Sequence, residues 1–267
     1  MFTVQLRRLY RAMLLLAHLL LGVALALGLL LPFAARHRRV PRLAAWWLAR
    51  GVAILGVRVV ARGRPHPAPV LLLANHISWL DILVLATRSD AGYVAKAEVA
   101  QWPLLGWLAQ VGGTEFVRRG SRDDLPRLLR AMQGRLRAGQ SLTVFPEGTS
   151  GGAVLPRRFR PRLLQAAVDA KVPVQPVAIY YGSQTRAVAF IGEDSLVTNL
   201  WALLAEEPVV VEVIFLPTIG TVSGDCRLLA DESWRAVTHA LTRLELFERE
   251  SRHAATQPPA FEPVRAV

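Results

Sequence analysis

The sequence predicts an α/β fold, a mixed β-sheet flanked by helices, preceded by an N-terminal apolar helical membrane anchor. Three observations predict it. Short apolar runs that read as buried strands alternate with segments of helical periodicity through most of the chain. Ala12 to Leu31 is a run of 20 residues whose only clearly polar member is His18, about 30 Å of helix and enough to cross a hydrocarbon core. Charge is segregated as well: residues 1–64 contain 11 Arg and no Asp, Glu or Lys, and the first acid is Asp81.

The anchor comes first in the chain. Arg7, Arg8 and Arg11 precede the apolar run, and Arg36, Arg38, Arg39 and Arg42 follow it. Cations on both flanks give little orientation bias, so spanning and single-leaflet insertion both stay open, with a shallow or re-entrant anchor on the cytoplasmic side favoured. Pro32 breaks or kinks the helix. Leu43 to Ala61 reads as an interfacial amphipathic helix, with Trp46 and Trp47 at headgroup level and Arg50 and Arg58 snorkelling. Ala34-Ala35 imitates a cleavage site, but the apolar core is long for a signal peptide and the second cationic flank does not fit one. The division expected is an anchoring segment over residues 1–62, a catalytic domain over 63–251 and a disordered tail over 252–267, the last carrying Pro258, Pro259 and Pro263.

Within the domain, Val70–Ala74 reads as a strand and Ser78–Thr87 as a helix. Gly92–Ala95 and Glu115–Val117 read as short strands. Leucines at 125, 128, 129 and 136 make Asp124–Arg137 helical. Leu142–Phe145 is a strand and Arg162–Ala170 a helix closed by Val172-Pro173. Val174–Tyr180, Ala187–Ile191 and Val209–Leu216 read as strands, and Asp231–Glu250 as a terminal helix.

Composition removes several function classes. Cys226 is the only cysteine, which excludes an internal disulfide framework. The six His residues are scattered without zinc spacing, so no metal is expected. The net charge of +12 suggests an anionic partner, and the first 64 residues supply 11 of those charges. Because their arginines surround an apolar block, membrane lipid is the expected partner and nucleic acid is not.

Two polar segments carry the chemistry. Asn75-His76-Ile77-Ser78-Trp79-Leu80-Asp81 follows one apolar run, and Phe145-Pro146-Glu147-Gly148-Thr149 follows another. Both sit where buried strands end, the place where α/β proteins put their sites. Histidine is the natural base near neutral pH, and a carboxylate on its other ring nitrogen fixes tautomer and orientation. With His76 at a strand-to-helix turn, Asp81 lies about one helical turn on and can reach back. Ser78-x-x-Asp81 also fits a capping box, and the two roles are compatible. Gly148 permits close backbone approach, and an exposed amide there would suit an oxyanion. Trp102 to Leu108 has helical spacing and reads as core or as the wall of an acyl-chain channel.

These segments, with Gly113-Thr114-Glu115-Phe116-Val117-Arg118-Arg119 and Val172-Pro173-Val174-Gln175-Pro176-Val177, resemble in order the four blocks of the glycerophospholipid acyltransferases, the 1-acylglycerol-3-phosphate O-acyltransferases and their relatives. The resemblance implies a membrane-associated enzyme that moves a fatty acyl chain from acyl-coenzyme A or acyl carrier protein to the free hydroxyl of a lysolipid, with no other cofactor. It implies an inner-membrane location with the catalytic domain facing the cytoplasm. His76 is then the general base and Asp81 its partner. Asn75, Lys96, Arg118, Arg119, Glu147, Gly148, Thr149 and Ser150 bind substrate. No serine nucleophile with an elbow such as G-x-S-x-G is expected, so direct attack by the acceptor, without an acyl-enzyme, is favoured. Family members that make phosphatidate commonly carry Arg directly after Glu-Gly-Thr. Here that residue is Ser150, and Ser150-Gly151-Gly152-Ala153-Val154-Leu155-Pro156 is similar to the branch that acylates lyso-ornithine lipid. Two acceptors stay open: lysophosphatidic acid, with Arg157, Arg158 or Arg160 replacing the missing arginine, and lyso-ornithine lipid. A lipid hydrolase and a non-catalytic membrane lipid-binding protein are the alternatives.

Overall fold

The computed structural model describes residues 2–29, 40–67, 69–96, 114–117, 124–192 and 194–256. Seven strands form one sheet: β1 (Val57–Arg62), β2 (Leu71–Ala74), β3 (Gly92–Lys96), β4 (Glu115–Val117), β5 (Leu142–Val144), β6 (Val174–Tyr180) and β7 (Val209–Phe215). Their order across the sheet is β1-β7-β6-β2-β5-β3-β4. Every neighbouring pair is parallel except β6 with β7. Helices α1 (Phe2–Leu29), α2 (Val40–Ile54), α3 (Leu80–Ala86), α4 (Asp124–Arg137), α5 (Gln165–Ala170), α6 (Thr185–Val188), α7 (Leu196–Leu203) and α8 (Cys226–Thr256) surround it.

Burial follows from sheet position. The Leu71–Ala74 and Val174–Tyr180 runs are buried throughout, as interior strands covered on both faces require. β7 instead alternates buried and more exposed residues, because it lies one strand from the edge. The alternation of β2 divides the core. Leu72 and Ala74 pack with Val52, Leu80, Val84 and Ile179 on one face, and Leu71 and Leu73 with Met132, Leu136, Leu164 and Leu241 on the other. This is a helix–sheet–helix sandwich, the α/β architecture expected.

Four elements differ from expectation. The helix expected over Leu43–Ala61 ends at Ile54, and Val57–Arg62 is a strand paired with β7. Gly56, at φ +79°, makes the left-handed step that stops the helix, and the β-branched Val57, Val59 and Val60 suit an extended chain. The sheet therefore begins before residue 63. The strand expected at Ala187–Ile191 is the short helix α6 followed by irregular chain. There the Ala189 amide bonds to Thr185 and the Phe190 amide bonds to Ile77, so no strand ladder forms. α7 was not anticipated. The terminal helix runs to Thr256, past residue 251. Trp102–Leu108 and residues 257–267 lie outside the described residues.

α1 and α2 pack antiparallel. The His18 and Trp47 rings stack at 4.7 Å, and the Trp47 indole donates to the His18 carbonyl at 3.1 Å. The hairpin is tied to the sheet at one edge. Arg7 donates to the Ala205 carbonyl and pairs with Glu207, and Arg11 donates to the Glu206 carbonyl at 2.8 Å. The Arg11 guanidinium also lies over Gly56, where a Cβ would come within 2.3 Å of it. That edge is the one where β7 and β1 begin and where parallel β2 and β6 end, because Tyr180 faces Glu212 across the antiparallel pair and Val57 faces Val209. The anchor and the segment after β2 thus share an edge of the sheet.

Candidate active site

Asn75 follows the last residue of β2. Its carboxamide donates to the Ile179 carbonyl at 2.9 Å and accepts from the Ile179 amide at 2.8 Å. A side chain thereby continues the β2–β6 ladder beyond Ala74. Asn75 is buried, so its part here is to pin the strand end.

His76 comes next, in the turn before α3. Its Nδ1 lies 2.9 Å from Asp81 Oδ2. The same oxygen accepts the amides of Ile77 at 2.6 Å and Ser78 at 2.9 Å, and Oδ1 accepts the Tyr181 hydroxyl at 2.8 Å. Asp81 has no exposed surface. A carboxylate with these four partners can accept only from a protonated Nδ1, which leaves Nε2 with the free lone pair. The bond from the Asp81 carboxylate to the Ser78 amide is one half of a capping box, and the Ser78 hydroxyl lies 3.4 Å from the Leu80 amide. Capping and orientation are one arrangement. The imidazole is also held flat, since the Phe145 ring stacks on it at 4.0 Å and 19°.

Glu147 joins the second polar segment to the first. Oε1 accepts the His76 amide and Oε2 the Arg157 amide, each at 2.8 Å. The carboxylate therefore ties the turn after β2 to the long connection after β5, and pins that connection to itself ten residues on, through main-chain amides. Burial pushes its pKa up, and the two amide bonds act against that rise. Gly148 has φ +79°, and its amide donates to the Phe145 carbonyl at 3.1 Å, closing a tight turn. That amide is engaged, so the expected oxyanion contact does not come from it. The Arg160 guanidinium packs over Gly148, and a Cβ there would meet it at 3.0 Å.

The segment after Thr149 is stitched down. The Ser150 hydroxyl donates to the Phe190 carbonyl, and the Gly151 amide to the His76 carbonyl at 3.0 Å. Gly148-Thr149-Ser150-Gly151-Gly152 does have G-x-S-x-G spacing. The structure nonetheless gives it no strand-to-helix elbow, since irregular chain follows, and the serine hydroxyl is held by main chain. The three candidate arginines also separate. Arg158 pairs with Asp231 and lies 3.7 Å over the Trp234 ring, whereas Arg157 and Arg160 are exposed beside the cleft turn.

His76, Glu147, Gly152, Leu155 and Arg157 line one narrow cleft. Thr149 adjoins it, and its hydroxyl makes only a long 3.4 Å contact with the Ser150 carbonyl. Lys96 ends β3 level with Val117 of β4. The Lys96 side chain, Arg118 and Arg119 lie outside the described residues. Among those residues no cluster of His, Cys, Asp or Glu is suited to a metal.

Two residues at the site were missed from sequence. Tyr181 is fully buried, and its pKa is pushed well above the usual phenol value, first by burial and then by Asp81. Its signal was present, because a tyrosine directly after the strand beside β2 must sit next to the end of β2. Phe145 stood inside the second segment but was assigned no role.

The chain is similar to known acyltransferases. A family model described as "Acyltransferase" matches residues 57–180. The lyso-ornithine lipid O-acyltransferase of Pseudomonas aeruginosa is 40% identical over 238 residues, covering 84% of this chain and 91% of that protein. The 1-acyl-sn-glycerol-3-phosphate acyltransferase of Neisseria meningitidis is 33% identical over 241 residues, covering 77% and 94%. The crystal structure of the 1-acyl-sn-glycerophosphate acyltransferase from Thermotoga maritima superposes with a TM-score of 0.70 at 22% identity, covering 91% of this chain and 97% of that one. This last likeness concerns the fold.

Proposed function

The chain belongs to the acyltransferase family and is an enzyme of that kind, and we propose that it acylates the free hydroxyl of a lysolipid at a membrane surface, with lyso-ornithine lipid as its acceptor. The observation that carries the mechanism is the 2.9 Å bond between His76 Nδ1 and the buried Asp81 carboxylate.

The acceptor hydroxyl gives its proton to His76 Nε2 as its oxygen attacks the carbonyl carbon of an acyl thioester, carried by coenzyme A or acyl carrier protein. The tetrahedral adduct collapses with loss of the thiolate, which takes the proton back from the imidazolium. Asp81 holds the ring and stabilises its charged form at the intermediate step, and Phe145 keeps it in plane. Direct transfer needs no acyl-enzyme, in keeping with a Ser150 hydroxyl that is bound to main chain.

Two features favour the aminolipid. Where a phosphate-binding arginine would stand, Ser150 turns onto the Phe190 carbonyl, and the 40%-identical relative is named for that acceptor. Arg157 and Arg160 stand where either a headgroup carboxylate or a phosphate can be met.

α1 is long and apolar enough to cross a membrane. α2, with 15 residues, reaches only about 22 Å, short of the roughly 30 Å core. A hairpin that leaves and re-enters the same sheet edge suits insertion into one leaflet. The catalytic edge then faces the cytoplasmic leaflet of the inner membrane.

The test offers detergent-solubilised protein a labelled acyl thioester, with lyso-ornithine lipid and lysophosphatidic acid in parallel. Transfer confined to lysophosphatidic acid would overturn the acceptor assignment. His76→Ala should abolish transfer and leave the far-UV circular dichroism unchanged, and normal turnover in that variant would sink the mechanism.

A further inference from the structure

α7 is the one described helix of eight or more residues without an ionisable side chain: Leu196-Val197-Thr198-Asn199-Leu200-Trp201-Ala202-Leu203. Such a helix belongs in a core, yet only one of its faces is buried. Leu203 is buried, Leu200 packs on the core, and Asn199 accepts from the Trp79 indole at 2.8 Å and donates to the Ala189 carbonyl at 3.0 Å. The opposite face is open, with Val197 74% and Trp201 44% exposed. Four residues apart, these two side chains lie one above the other.

The open face adjoins the anchor. The Arg8 guanidinium of α1 lies 5.2 Å over the Trp201 ring, and Arg7 and Arg11 hold the carbonyls just after α7. The acids beyond α7 are partly neutralised there, since Glu207 pairs with Arg7. Leu6, Leu9 and Met13, on another face of α1, are exposed apolar residues as well. In the other direction the chain before α7 leads to the cleft. Ile191, half exposed, sits where a Cβ on Gly152 would meet it at 2.8 Å, and Gly152 lines the cleft with His76.

We propose that the outward face of α7 is a second membrane contact, lying in the headgroup region of the leaflet that receives α1 and holding the mouth of the cleft against the lipid. An apolar helix face with an aromatic ring beside an arginine of the neighbouring helix suits that depth, and continuity with α1 identifies the occupant as lipid. α7 is coupled to the chemistry on its inner side. Trp79, which it holds, lies two residues before Asp81, and Phe190 is bonded to both Ile77 and Ser150. This inference rests on membrane attachment through α1.

The test uses the full chain with Cys226→Ser and one new cysteine at a time: V197C on α7, M13C on α1 and V222C. Val222 is fully exposed and close to Ile219, which pairs with the first residue of β6 at the opposite edge of the sheet. Each carries an environment-sensitive dye on vesicles of phosphatidylethanolamine and phosphatidylglycerol containing nitroxide-labelled lipid. Quenching at 197 and 13, and not at 222, is expected. Quenching at 13 with 197 behaving like 222 would overturn the α7 contact and leave the anchor standing. No quenching at either 13 or 197 would overturn both. In parallel, Val197→Asp should lower transfer to vesicle-borne lysolipid about tenfold while transfer in detergent stays unchanged. An equal effect, or none, in the two settings would overturn the proposal.

Discussion

The turns after β2 and β5 each place a buried carboxylate at the same end of the sheet, and the two serve different masters. Asp81 accepts from the side chain proposed as the base, His76, and from two amides and a phenol that fix its own position. Glu147 accepts from main chain alone, one amide from the turn after β2 and one from farther along its own connection. One carboxylate orients the imidazole proposed as the base, and the other holds the chain segments that make the cleft. Removing Asp81 should therefore strike the chemistry, and removing Glu147 should strike first the geometry that the chemistry needs.

Asp81→Asn should have the largest effect of changes that break this contrast. The amide keeps one oxygen, which the Ile77 and Ser78 amides hold toward the His76 ring, but it removes the negative charge that stabilises the imidazolium, lowering kcat by a factor on the order of 10² or more. A loss of less than tenfold would mean that His76 does not depend on Asp81. Glu147→Ala should cost about 2–4 kcal/mol of stability, since two amides lose their acceptor, visible as an earlier urea midpoint in detergent. A change in kcat with no change in midpoint would move Glu147 into the chemistry. Tyr181→Phe sharpens the first half of the comparison. It removes one bond to the Asp81 carboxylate, for about 1.5 kcal/mol and roughly a tenfold fall in kcat.

The smallest effect is expected from pH. Glu147 has its folded pKa raised by burial, so its contribution to stability is fully present below the ordinary glutamate value and is lost as pH rises through the raised one. The wild-type urea midpoint should decline across that window, starting near pH 4, while Glu147→Gln should lack that component. Identical profiles would mean that the amide bonds cancel the burial.

What could be read from sequence tracks how far each partner lies along the chain. His76 and Asp81 are five residues apart, and a local turn suffices to join them. Tyr181 reaches the same carboxylate from 100 residues away, through a pairing of β6 with β2 that no short window contains. Glu147 was recognised as a site residue, but its partners are amides, which carry no sequence signature. β1 was hidden because its valines continue the apolar composition of α2. Gly56 was the available sign of the break, and it passed unread. α7 was legible as an apolar run, but its exposure on one face depends on tertiary packing alone.

The two ends of the anchor hairpin have a kinetic consequence. Arg7 and Arg11 clamp its outgoing helix, α1, to residues 205–207, and Gly56 receives its return. A single stalk would let the domain swivel, whereas two attachments at one edge permit little more than tilting. With α1 inserted as proposed, His76, on that edge, would stay turned toward the lipid through successive encounters. The acceptor search would then be two-dimensional diffusion toward a cleft already facing the right way, at an effective concentration that a freely dissolved domain would meet only in the millimolar range.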